Sequence, residues 1–166
     1  MARYLAATLP LAFALAAAPG LAKDSLGVFG QWGAFRDPQV PRCYAIAAAE
    51  PNARSRERAG FASIATWPAR QIRGQLFIRM SRTPAQGARV SLAVGKERFV
   101  LTGNGGDVWA AGPQEDAAIL TAMRAAASMT VSARDTRGNR FADRYSLNGA
   151  ATAMDAASVG CARARR

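Results

Sequence analysis

The stretch Val90-Ser91-Leu92-Ala93-Val94-Gly95-Lys96-Glu97-Arg98-Phe99-Val100-Leu101 decides the fold. Val90, Leu92 and Val94 alternate with Ser91 and Ala93, and Phe99 and Leu101 resume the apolar beat beyond Gly95-Lys96. A period of two sets one face of a strand on a core and leaves the other partly solvated. A two-residue break containing glycine returns the chain antiparallel to itself, so this stretch predicts a hairpin. The same alternation lies upstream, where Leu76, Ile78 and Met80 interleave with Phe77 and Arg79. Asn104-Gly105 can supply the positive backbone angles of a second turn, and Arg137-Gly138-Asn139 joins the last two strands. Nearer the start, Cys43 to Ala48 and Gly60 to Thr66 read as strands. The polar, arginine-rich loop from Glu50 to Arg58 between them is expected to be a mobile surface segment.

Two helices interrupt this pattern. Gly112-Pro113 followed by Glu115 and Asp116 is a start signal, because proline fits the first turn and carboxylates favour the positive end of the helix dipole. Ile119, Leu120, Met123, Ala126 and Ala127 then fall on one stripe, which predicts a helix over about 113–127 covering one face of the sheet. A shorter helix is expected over about 150–159, closed by Gly160 in a left-handed cap just before Cys161. The reading is mainly β and antiparallel, with two short helices and no internal repeat or linker.

Residues 1–22 have the three parts of an export signal: Arg3, an apolar run from Leu5 to Ala18, and the small-x-small pair Gly20 and Ala22. The run is shorter than the roughly 18–20 residues a spanning helix needs, and Pro10 interrupts it. Cleavage after Ala22 is therefore expected, leaving one domain over 23–166 in the periplasm, secreted or at the cell surface, with no membrane segment. Cys43 and Cys161 would then lie in an oxidising compartment, where a disulfide would tie the start of the domain to its end. A buried unpaired Cys43 and an intermolecular bond are the alternatives.

The net charge is +11, carried almost wholly by arginine, with Lys23 and Lys96 the two lysines. In a cytoplasmic protein such a balance points to nucleic acid, but export argues against it. The polyanions outside the inner membrane are lipopolysaccharide, anionic headgroups and host-cell glycans, toward which a basic surface steers. Arg54, Arg56, Arg58, Arg70 and Arg73 are the candidate basic surface; the competing reading is that they record GC-rich coding and only solubilise the chain.

No histidine is present, which removes the usual base for a serine or cysteine nucleophile and the commonest zinc ligand. Glu115-Asp116 is explained by the helix start. Gly103-Asn104-Gly105-Gly106-Asp107 lacks the Gly-Lys-Ser/Thr ending of a phosphate loop and reads as a turn. No catalytic residues, metal ligands or cofactor are assigned, and the chain is expected not to be an enzyme. Trp32, Trp67 and Trp109 admit two readings, an exposed aromatic patch or core; core is favoured, with Trp109 packed under the first helix.

Together these residues resemble the invasion-associated locus B family, small exported proteins of alphaproteobacteria. The likeness runs through Gly30-Gln31-Trp32, Pro41-Arg42-Cys43-Tyr44-Ala45, the strands around Gln75 to Met80 and Val90 to Leu101, Asp107-Val108-Trp109, Ala122-Met123-Arg124, Arg137-Gly138 and Tyr145-Ser146-Leu147-Asn148-Gly149. Two departures stand out. Ala150-Ala151 replace the aromatic residue that often follows the Ser-Leu-x-Gly segment, and Val108 to Asp116 has no cysteine to match the second pair some members carry. The resemblance implies a β-sandwich-like domain, export, and a role in host-cell invasion in pathogenic relatives, with no known reaction. The expected function is thus a non-enzymatic binding protein of the envelope that engages an unidentified protein or an anionic envelope or host surface. The alternative is a periplasmic inhibitor or chaperone-like factor acting on other proteins or on cell-wall polymers.

Overall fold

The computed structural model describes residues 23–51 and 59–163. Along these the elements are β1 (Asp24–Phe29), β2 (Trp32–Asp37), β3 (Arg42–Ala48), β4 (Phe61–Trp67), β5 (Ile72–Arg79), β6 (Val90–Val94), β7 (Glu97–Asn104), β8 (Asp107–Trp109), α1 (Pro113–Ala125), β9 (Ser128–Arg134), β10 (Arg140–Ser146) and α2 (Ala150–Arg163). The strands share one antiparallel order, β1-β2-β3-β4-β5-β8-β7-β6-β9-β10. The mainly β reading with two helices holds. Its two halves face each other across one core, in which Trp32, Ile64, Leu76 and Ile78 from the first half join Leu92, Val131 and Tyr145 from the second.

Local signals place the turns. Val94 pairs with Glu97 across Gly95-Lys96, with Gly95 at φ 56°, as the hairpin requires. Asn104 pairs with Asp107, so the next turn is Gly105-Gly106, one residue later than expected, because Asn104 is drawn into the ladder. A first hairpin not anticipated from the pattern joins β1 to β2, pairing Phe29 with Trp32 around Gly30-Gln31. Residues 52–58 of the arginine-rich loop lie outside the described residues.

α1 begins at Pro113, and Glu115 reaches back to accept the Ala111 N–H at 2.6 Å. It ends at Ala125 rather than about 127 because Ala126 is already extended toward β9. Asp116 does more than favour the dipole. Its buried carboxylate accepts the N–H of Leu76 at 2.8 Å, at a point where β5 has no strand on that side, since β8 pairs only with Phe77–Arg79. Burial raises the Asp116 pKa above its ordinary value; the Leu76 N–H pulls it partly back and Glu115 adds to the rise.

α2 buries Ala150, Ala153, Met154, Ala157 and Cys161 across β1–β4, a stripe at helical spacing. It runs to Arg163, so the expected cap at Gly160 is overturned. Gly160 is an interior helical residue, and its lack of a side chain has another cause: a Cβ there would lie 2.5 Å from a Leu26 methyl carbon. The glycine lets β1 and α2 touch. Arg124 and Asp155, 2.6 Å apart, link α1 to α2, and that hydrogen bond holds the Asp155 carboxyl below its ordinary range.

The two ends of the sheet are brought together by hydrogen bonds. Trp32 Nε1 donates to Ser146 O at 2.8 Å, Gln31 N to Asn148 O at 3.1 Å, and Glu50 N to Arg144 O at 2.7 Å. Inside this seam, the buried carboxylate of Asp143 accepts the Ser81 N–H at 2.7 Å and the Ser81 hydroxyl at 2.5 Å. Gly60 passes so close that a Cβ would meet Arg79 O at 2.9 Å and Asp143 Oδ2 at 3.0 Å.

The expected disulfide is present. Cys43 in β3 and Cys161 in α2 are bonded, with Cα atoms 5.6 Å apart and a sequence separation of 118. Both are buried. The unfolded chain loses the freedom of that whole loop, worth about 4–5 kcal/mol in the chain-entropy model. The Cys43→Ser/Cys161→Ser double variant is therefore expected to lose stability of that order in urea unfolding, and reduction of the native protein to match it.

Asp116 yields a second prediction. A carboxyl whose folded pKa is raised binds its proton more tightly in the folded state, so the stability it contributes is present in acid and lost as pH climbs through the raised value. Asp116→Asn keeps an acceptor for Leu76 and sheds the charge. Its stability relative to the native protein should grow from acid to neutral pH, whereas Asp116→Ala, which leaves the Leu76 N–H unpaired, should lose about 1–3 kcal/mol. Urea titrations at both pH values check the two signs.

Candidate binding surface

Strand alternation in the first half sorts side chains in an uncommon way. Ala34 in β2, Cys43, Ala45 and Ala47 in β3, and Ala62 in β4 point inward. The opposite face carries Phe35, Tyr44, Phe61, Trp67, Phe77 and Trp109, none of which belongs to the core cluster. The rings support one another across strands. Phe35 stacks on Tyr44 with centroids 5.7 Å apart, and Phe77 meets Phe61 at 5.7 Å and Trp109 at 5.3 Å.

Cations lie over this face. Arg42 and Tyr44 are two apart on β3 and so share a side, and the pairing of Cys43 with Thr66 sets Arg42 beside Trp67. The Arg42 guanidinium stands 4.9 Å from the Tyr44 ring and 5.2 Å from Trp67. After Trp67 a 3-10 turn over Pro68–Arg70 reverses the chain, with Gln71 left-handed at φ 56°, and this returns Arg70 over Trp67 at 5.0 Å. Lys23 Nζ lies 5.8 Å from the Tyr44 ring. The result is a column of Arg70, Trp67, Arg42, Tyr44 and Lys23, each cation against the negative face of a ring. Arg42 also pairs with the Asp37 carboxylate at 3.7 Å, while its buried Nε has no hydrogen-bond partner among the described residues. Lys23 and Arg70 form no salt bridge with a described residue.

The candidate arginines fare differently from one another. Arg54, Arg56 and Arg58 lie outside the described residues. Arg70 and Arg73 are both exposed, but the structure does not bring them to one face. Arg70 belongs to the outer column, while Arg73 lines a cleft of about 430 Å³ on the helix side, with Thr66, Gly74, Leu120, Ser158 and Cys161. Of the tryptophans, Trp32 is core as expected, at 0% exposure. Trp67 and Trp109 are half-buried on the outer face, which corrects the core reading. Trp109 packs on Phe77 rather than under α1, because its neighbour Val108 takes the inward position in β8. Arg42 and Lys23 were not singled out from the sequence. The Arg-x-Tyr spacing inside an expected strand was a usable hint, whereas the cross-strand approach of Trp67 depends on register.

Among the described residues no three His, Cys, Asp or Glu side chains gather closely enough to hold a metal ion, and no helix is long and apolar enough to cross a membrane. A face of rings and cations of this kind can stack against apolar or sugar surfaces while attracting negative charge.

No family model and no curated relative matches the chain. Its structure is similar to the crystal structure of invasion associated protein B from Bartonella henselae, with a TM-score of 0.59 at 16% identity, covering 80% of this chain and 95% of that one. The resemblance read from the sequence holds at the level of the fold.

Proposed function

We propose that this chain is an exported, non-enzymatic binding protein of the cell envelope, akin to invasion-associated locus B proteins, whose partner is an anionic cell surface. One observation carries the reading: the column of Lys23, Arg42 and Arg70 on Tyr44 and Trp67, on the sheet face opposite the alanines that meet α2. The half-buried Trp67 ring contributes contact area at little entropic cost, the buried Tyr44 ring underlies the cations, and the cations supply long-range attraction and a preference for negative charge. The buried Cys43–Cys161 disulfide agrees with an oxidising compartment. The solved neighbour is an invasion associated protein, which supports the kinship at the level of the fold.

Two measurements test this. Fractionation followed by N-terminal mass determination should place the protein outside the cytoplasm with Lys23 as its first residue. Adsorption to vesicles containing lipopolysaccharide should exceed that to zwitterionic vesicles and fall steeply between about 0.05 and 0.5 M salt, where exposed charges become screened. Trp67→Ala and Arg70→Gln should each weaken adsorption about tenfold, the scale of a single interface anchor. Adsorption that ignores ionic strength and both substitutions would sink the proposal.

A further inference from the structure

The far end of the sheet holds a second arrangement built from other residues. In the β9–β10 hairpin, Arg134 and Arg140 are direct cross-strand partners. Residues so paired project from one face of the sheet with Cβ atoms about 5 Å apart, and like charges there repel. Both are exposed. A third arginine, Arg137, sits exposed in the connecting turn.

The nearest acid does not relieve them. Asp135 is buried, and its Oδ1 accepts the N–H groups of Arg137 and Asn139, each at 2.9 Å. Its Oδ2 faces Arg82 at 3.3 Å. Arg134 bends over the turn to donate to the Gly138 carbonyl at 2.7 Å. No carboxylate of a described residue pairs with Arg134, Arg137 or Arg140. The next pair on the same face is Ser132 with Ala142, both small side chains without charge.

A like-charged pair placed opposite itself, on a hairpin whose two carboxylates, Asp135 and Asp143, are already engaged, is stable only at some expense to the fold, and an anion between the two forks turns repulsion into attraction. Guanidinium groups match tetrahedral oxyanions bidentately. We infer that Arg134 and Arg140, with Arg137 at the turn, form a receptor for a phosphate or sulfate group. The site is separate from the ring-and-cation face and does not depend on that reading.

The test is the unfolding midpoint of the full chain in inorganic phosphate against chloride at matched ionic strength. Specific binding stabilises the folded state in a saturable way. The native protein should gain stability with phosphate, half-saturating at about millimolar concentration. Arg140→Thr should be at least as stable as the native protein in chloride, because the repulsion is gone, and should show at least tenfold weaker response to phosphate. Arg134→Gln should lose the response too. Arg98→Gln, an exposed arginine on another hairpin, should keep it. Co-sedimentation with phosphatidylglycerol vesicles separates the sources: loss in Arg140→Thr assigns a lipid headgroup, and unchanged sedimentation alongside a lost phosphate response assigns a free or polymer-borne oxyanion. A phosphate response that survives in both Arg140→Thr and Arg134→Gln, or that is equally lost in Arg98→Gln, overturns the site.

Discussion

A sheet whose strands run in a single order has two raw edges, and this fold rests on how one of them is closed. Along β10 and just past its end, the carbonyls of Arg144, Ser146 and Asn148 fall at every second residue, and each accepts one hydrogen bond from the first half of the chain. The donors are a loop N–H, an indole and a turn N–H. Because they come from two places, the Gln31-Trp32 turn and Glu50, and one is a side chain, these three carbonyls are tied rather than laddered to the first half of the chain. The Ser81–Asp143 hydrogen bonds fasten the same seam from within. Were it open, the two halves would not share a core.

Closing the seam also decides what each face of β2 to β4 can carry. Inside, those strands meet α2 through alanines on both partners, which allows a close approach, and Gly160 extends that economy to Leu26. Large rings have little room there. They stand on the other side, where they cover one another and are overlaid by the guanidinium groups of Arg42 and Arg70. The surface chemistry is thus a by-product of how tightly α2 packs, and the disulfide fastens that same contact.

Much of this was legible along the chain and some was not, for physical reasons. The Val90–Leu101 hairpin, the start of α1 and the partnership of Cys43 with Cys161 follow from local period, turn chemistry and compartment. The placement of β8 between β5 and β7 does not, because period two tells which face a residue takes and nothing about which strand lies beside it. Gly160 misled for a related reason: a glycine near a helix end reads as a cap, and a tertiary neighbour such as Leu26 leaves no local trace. Trp67 and Trp109 read as core by size. Their outward positions were set by Thr66 pairing with Cys43 and by Val108 turning inward. Of the candidate site, Arg70 was recognised, but its ring and its neighbours were supplied by register.

The three indoles consequently sit in different media. Trp32 is sealed in the seam with its N–H bonded to a carbonyl, while Trp67 and Trp109 remain in contact with solvent. Light emitted by the first reports whether the sheet is shut, and light from the other two reports what rests on its outer face. A partner landing on the rings would perturb the red part of the emission and leave the blue part alone, so the protein carries its own optical means of telling docking from opening.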